Sequence, residues 1–230
     1  MSRFDDCCVI YLHGFASGPG SSKAQFLKER LEKVGFRVLV PDLNGAGFEN
    51  LTISGQLKIV EETVNGVERA ARLLMMGSSM GGLLAVLASA HVERLRAMVL
   101  MAPGFGLSRR WGQLLGADQM RRWKETGTHD LFHYGLNKNM ALGYQFIEDA
   151  QQLQTDELKV SQPTLVFHGK NDVTVPIAES IRFAELNPKS AELRILDDDH
   201  DLIRSLELIW EGTYQFFDNI LCERAIGSDT

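Results

Sequence analysis

Gly77-Ser78-Ser79-Met80-Gly81 sets one serine between glycines two places before and two places after it. This is the G-x-S-x-G spacing of a nucleophile carried on a sharp strand-to-helix turn, and the chemistry it suits is attack of a hydroxyl on an acyl carbon. Side chains at the two glycines would collide across such a turn, and Gly82 adds room where strand and helix converge. Ser79 is therefore the candidate nucleophile, and Ser78 takes the variable position. A hydroxyl at its ordinary pKa is a poor nucleophile, so a general base and an acid that orients it must follow. With the serine on this kind of turn, the acid and then the histidine are expected later in the chain.

Two segments supply them. "HGKNDVTVP" puts Asp172 just past one apolar run, and "LDDDHDL" puts His200 just past the next. Asp197, Asp198, Asp199 and Asp201 compete for the role of acid. A carboxylate beside His200 in sequence is badly placed to orient its ring, so these four read as a solvated acidic loop. His168 and His91 read as structural, at a strand end and a helix end. An oxyanion hole needs two backbone N–H groups. Met80, the residue after the nucleophile, is expected to give one, and Phe15 in the loop His13-Gly14-Phe15 the other. "GFASGPGSSK" is not a phosphate loop: it fails G-x-x-x-x-G-K-[ST], and Gly18-Pro19-Gly20 has no glycine three residues on.

The elements that must hold these groups alternate along the chain. Strand-like runs are "CCVIYLH", "FRVLVPD", "RLLMMGS", "LRAMVLMAP", "PTLVFHG" and "AELRILDDD". Between them, Phe26, Leu27, Leu31 and Val34 fall at helical spacing before a stop at Gly35, and Ile53, Leu57, Val60, Val64 and Val67 form a second stripe. "MGGLLAVLASA" is apolar nearly all round and reads as a buried helix. "VPIAESIRFAELN" and "LIRSLELIWEGTYQFFDNIL" complete the set. Continuous apolar strands alternating with helices predict an α/β fold of about six mostly parallel strands, helices on both faces. Ser79, Asp172 and His200 each follow a strand, so they are expected at one edge of that sheet.

The remaining sixty or so residues, 104–160, show no clear strand. A structureless loop of that length is unusual in a compact domain, so they are expected to form a helical cap inserted in a single domain spanning 1–230. Trp111 and Tyr134 are candidate substrate contacts there, with Leu114, Leu115, Trp123, Leu131 and Phe132 either lining an acyl pocket or forming the cap's own core. Arg109, Arg110, Arg121, Arg122 and Lys124 could hold a carboxylate or simply be solvated.

Composition removes other classes. The 230 residues are 44% hydrophobic with a net charge of −6, and no basic run exceeds a doublet, so no nucleic-acid partner is expected. No apolar run reaches the length of a membrane span. "MSRFDDCC" has no secretory pattern. Three cysteines, two of them adjacent, make neither a disulfide framework nor a zinc site; Cys7 and Cys8 should face opposite sides of a strand in a reducing, cytoplasmic setting.

Taken together, His13-Gly14, Gly77 through Gly82, Asp172 and His200 resemble the α/β-hydrolase superfamily over nearly the whole chain. More narrowly, "LHGFASGPGSSKAQFL", "MGSSMGG" and "YQFIEDA" resemble the acyl-protein thioesterase branch of depalmitoylases and acyl-glucuronide esterases, and the small YqiA-type bacterial esterases share the HGFxSxPxSxK pattern. The resemblance implies a sheet without the first two strands of the full eight. It also implies cleavage of a carboxylic ester or thioester, in a small molecule or an acylated partner, with no metal or organic cofactor. Ser79 would attack, His200 act as base, Asp172 orient it, and the N–H groups of Phe15 and Met80 hold the oxyanion. Two other classes keep much of the pattern: a peptidase or amidase with the same triad, and a non-catalytic binding protein, which would ordinarily lack a triad residue. A haloalkane dehalogenase would need an aspartate where Ser79 stands.

Overall fold

Six apolar segments pair side by side, all parallel, in the order β2-β1-β3-β4-β7-β8. They are β1 (Cys7–Leu12), β2 (Arg37–Leu39), β3 (Arg72–Ser78), β4 (Leu95–Met101), β7 (Thr164–Gly169) and β8 (Ala191–Leu196). The structure is a computed structural model that describes residues 3–153, 155 and 157–223. The ends of the domain expected over 1–230, and residues 154 and 156 of the expected cap, lie outside the described residues.

Every residue of β1 and β7 is buried, which is why these strands read as unbroken apolar runs rather than alternations. The pleat then deals side chains to two cores. Cys7, Val9 and Tyr11 pack with Leu27 and Leu31 of α1 (Ser22–Val34) and with Ile209 and Phe217 of α7 (Leu206–Glu223). Cys8, Ile10 and Leu12 pack on the opposite face with Val60 of α2 (Ile53–Asn65), Leu83 and Leu84 of α3 (Met80–Ser89) and Phe183 of α6 (Ile177–Leu186). Adjacent cysteines thus serve opposite cores, as small apolar residues. Each fully buried aliphatic chain stabilises the fold by roughly 1.5–3 kcal/mol.

Local signals set the helix ends. The Ser21 side chain accepts from Ala24 N, and Gly35, at φ 108°, closes α1 by donating to carbonyls of its last turn. Thr52 caps α2 by accepting from Gly55 N at 3.0 Å. Val67 lies past the end of α2 yet is buried, so the apolar spacing outruns the helix itself.

Segment 104–160 is not the purely helical cap expected. α4 (Leu107–Thr126) breaks at Gly116 (φ 75°, ψ 162°), and α5 (Gln145–Gln152) closes the segment. Between them β5 (Thr128–His133) and β6 (Lys138–Gly143) pair as an antiparallel hairpin. The strand signal of β5 is an alternation in which His129, Leu131 and His133 turn inward while Thr128, Asp130 and Phe132 are exposed. Two of the three inward residues are histidines, so the period-two pattern is not an apolar one.

The cap is tied down at several points. Asp149 of α5 accepts from Ser54 N (2.9 Å) and Ser54 Oγ (2.5 Å) at the start of α2, and Gln145 donates to Glu49 O at 2.7 Å. The hairpin turn rests on the loop after β1, with Gly135 N donating to Ala16 O at 3.2 Å. Among the described residues, no helix is long and apolar enough to cross a membrane.

Candidate active site

Chain order places the loops after β1, β3, β7 and β8 at the carboxyl end of the sheet, where the order of strands reverses on either side of β1. The turn from β3 into α3 is as tight as its glycines require. A Cβ on Gly77 would lie 2.2 Å from Gly81 O, and one on Gly81 would lie 2.0 Å from Leu12 O. Ser79 itself sits at φ 52°, ψ −115°, a conformation costly for a residue with a side chain. Four bonds hold it there: Ser79 N donates to Met101 O at 2.9 Å, and Ser79 O accepts from Gly82 N (2.9 Å), Leu83 N (3.3 Å) and Gly104 N (2.8 Å).

The hydroxyl so presented meets the two expected partners. His200 Nε2 is 3.0 Å from Ser79 Oγ, and His200 Nδ1 is 2.7 Å from Asp172 Oδ2. Because a carboxylate only accepts, Nδ1 carries the proton and Nε2 is free to take one from the serine. The Asp172 side chain is fully buried, and its other oxygen, Oδ1, accepts from Thr174 N (2.8 Å) and Val175 N (2.7 Å). Burial alone would raise its pKa, but hydrogen bonds from His168 and His200 outweigh it and hold the carboxyl well below the usual carboxylate range.

The rival acids have other partners. Asp197 pairs with Lys170 at 3.1 Å in the open, and Asp199 accepts from Asp201 N at 3.1 Å. Asp198 is not solvated as expected: it is buried, accepting from Asp199 N, Ser205 N and Arg204 to shape the entry to α7. The carboxylate remote in sequence is the one that reaches the histidine.

The loop after β1 lies against the serine. A Cβ on Gly14 would stand 3.4 Å from Ser79 Cβ. His13 fixes the loop from within: Nδ1 is 2.9 Å from Gly14 O, and Nε2 accepts from Leu43 N at 2.9 Å. Phe15 follows, and its ring packs edge-on to Trp111 with centroids 5.8 Å apart. Met80 opens α3 directly after the serine.

In the cap, Trp111 is half-buried and joins Trp123 and Phe146 as well as Phe15. Tyr134 is not brought in: it stands at the hairpin tip, 76% exposed, with its ring on Phe132. Trp123 belongs to the cap's own core, its indole N–H donating to Leu142 O at 2.9 Å. Arg110 is buried and spends two N–H groups on Phe105 O (3.1 Å) and Thr174 O (2.6 Å), tying the cap to the loop of Asp172, while Arg109 pairs with Glu179 at 3.1 Å.

Two neighbours were not among the expected site residues. Lys23, in the first turn of α1, donates to Ser78 Oγ at 3.0 Å beneath the elbow. Burial pulls its ammonium down to about 8 against the opposing charges of Asp201, Asp172, Asp198 and Asp199. The other is His168, whose contact with Asp172 no spacing rule announces.

A relative from Pseudomonas putida, 2-hydroxymuconate semialdehyde hydrolase, is 27% identical over 223 residues, covering 81% of this chain and 77% of its own. Two solved structures share the fold. Est1E from Butyrivibrio proteoclasticus superposes with a TM-score of 0.79 at 23% identity, over 96% of this chain and 90% of its own. Mouse alpha/beta hydrolase domain-containing protein 10 gives 0.78 at 21%, over 93% and 90%. The model of the uncharacterised protein family UPF0227 matches residues 8–213. The chain belongs to that family, the YqiA-type esterases, and has the α/β-hydrolase fold.

Proposed function

We propose that the protein is a serine hydrolase that cleaves a carboxylic ester or acyl thioester through an acyl-enzyme on Ser79. One observation carries this reading: the unbroken run from Ser79 Oγ to His200 (3.0 Å) to Asp172 (2.7 Å) at a strained turn. Ser79 Oγ bonds to the acyl carbon as its proton passes to His200 Nε2. The oxyanion faces the N–H groups of Phe15 and Met80, each such donor being worth roughly 10²–10³ in rate. Collapse breaks the bond to the alcohol or thiol, which leaves with the proton from His200. Water then gives a proton to His200, attacks the acyl carbon and frees the acid, and Ser79 recovers its hydrogen.

The substrate is a small molecule or an acylated partner, with Trp111 on Phe15 forming the wall nearest the acyl group. We place the work in the cytoplasm, supported by three unpaired cysteines, Cys7, Cys8 and Cys222. An alkyl fluorophosphonate is expected to label Ser79, and Ser79→Ala to lose labelling and at least about 10³-fold in turnover. Equal labelling of Ser79→Ala, or none of the folded wild type, sinks the reading. A panel of p-nitrophenyl esters and acyl thioesters of rising chain length then separates the substrate classes; a flat, near-background profile supports a binding protein instead.

A further inference from the structure

Asp172 has a second imidazole behind it. His168 is wholly buried at the end of β7, and its Nε2 lies 2.9 Å from Val175 O and 3.1 Å from Asp172 Oδ2. A carbonyl only accepts, so Nε2 carries the proton and shares it between Val175 O and the carboxylate. Nδ1 must then accept, and the Ser180 hydroxyl, also fully buried, supplies a donor at 2.7 Å. Ser180 in turn belongs to α6. The run therefore continues past the acid: Ser180 donates to His168, His168 donates to Asp172 Oδ2, and His200 donates to the same oxygen.

The acid's inventory is complete. Oδ1 takes two backbone N–H groups and Oδ2 takes two imidazole N–H groups, which fills the four acceptor sites of a carboxylate. Such a group can neither turn nor offer Oδ2 to anything else. We propose that His168 is a positioning residue of the triad, a second imidazole whose Nε2–H fixes the Asp172 oxygen that holds His200. It touches no substrate and acts through Asp172. It also disperses charge on the oxygen facing His200, so the carboxylate stabilises the imidazolium less strongly and leaves Nε2 available as a base. In keeping with this, the hydrogen bond from His168 acts with that from His200 to hold the Asp172 carboxyl below the usual carboxylate range. The other charged groups facing this acid are Lys23 and Arg110, both cationic, with Glu179 beyond Arg110.

The inference rests on the triad reading, so Asp172→Asn is the reference: it is expected to lose about 10⁴-fold in turnover. If it does not, the triad reading fails and His168 loses its role with it. Given that loss, His168→Met removes one hydrogen bond to a charged group and is expected to lower kcat by about 10–100-fold with KM little changed. It should also move the acid limb of kcat/KM to higher pH by about 0.5–1, because the carboxylate it leaves is the stronger partner of the imidazolium. His168→Gln, which offers an N–H in the same place, should recover most of both. A drop in thermal midpoint for His168→Met with kcat and the acid limb unmoved overturns the proposal. Nitrogen-15 NMR tests it without altering His168. His168 should be the Nε2–H tautomer, with its N–H resonance shifting in Asp172→Asn; an Nδ1–H tautomer, or a resonance indifferent to Asp172, overturns it.

Discussion

The elbow and the cap meet the same loop after β1, at Gly14 and at Phe15, and are held in different ways. Around Ser79, backbone meets backbone: Gly81 lies where a single Cβ would stand 2.0 Å from Leu12 O, and the serine's own N–H and C=O are bonded to neighbouring chain. The cap beyond its first residues is held mainly by side chains at separate points, Asp149 on Ser54, Gln145 on Glu49 and Arg110 on Thr174, with one backbone bond from Gly135 to Ala16 at the hairpin turn. Backbone contacts leave no room for alternatives, whereas a side-chain tether can be released and remade. Under the proposed function, the chemistry would rest on the rigid region and selection of the acyl group on the releasable one. The contrast can be broken from either side.

The largest effect should come from Gly81→Ala. Neither Leu12 O nor the strand that carries it can withdraw, so the substitution should cost at least about 3 kcal/mol, read as a lowered denaturation midpoint. A variant of wild-type stability would show that the elbow can relax, and the two regions would no longer differ in kind. Next in size is Trp111→Ala. The ring is half-buried against Phe15, Trp123 and Phe146, so its loss should cost about 2 kcal/mol and raise KM more than it lowers kcat. Tyr134→Ala, at the exposed hairpin tip, should change stability by less than about 0.5 kcal/mol and leave KM alone. Equal effects of the two would remove Trp111 from the acyl wall.

Asp149→Ala tests the tethers themselves. It frees the first turn of α2 from a carboxylate cap and should cost about 1–2 kcal/mol. The signature sought is local: faster amide exchange in α5 and the β5-β6 hairpin, with exchange in β3 and β4 unchanged. Uniform acceleration across the sheet would mean that cap and sheet open as one unit, against the distinction drawn between them.

The same division explains what could be read in advance. G-x-S-x-G, the strand before it and the apolar helix after it encode the elbow within a dozen residues, because steric limits act between near neighbours. The placement of Asp172 follows from the unbroken apolar run of β7, and that of His200 from the shorter strand signal of β8 next in the chain. The hairpin was not legible, because two of the three inward positions of β5 are His129 and His133, His129 packing on Trp123 and His133 on Phe48 and Asn44 from another part of the chain. The burial of Asp198 escaped for a similar reason: its partners, Arg204 and Ser205, matter only once the loop into α7 has closed. Nothing in its own helix marks Lys23 as a partner of the Ser78 hydroxyl.

Lys23 also gives the smallest and most discriminating of these effects, a slope rather than a loss. Burial pulls its ammonium down to about 8, while in the unfolded chain a lysine holds its proton to about 10.4. Below pH 8 both states are charged and the native state carries the full cost of burying the cation. Between those values the unfolded chain binds more protons than the native one, so this group's contribution to stability rises with pH. The buried thiol of Cys7, pushed up to about 12, works the other way above 9, because the native state then keeps a proton that the unfolded chain gives up. Comparison with Lys23→Met removes that shared background. The stability of the wild type relative to the variant should therefore climb between pH 7.5 and about 10, measured as the difference in denaturation midpoints. A difference flat in pH would mean that the ammonium is solvated in the folded state. The elbow would then rest on backbone packing alone, with no charged brace beneath Ser78.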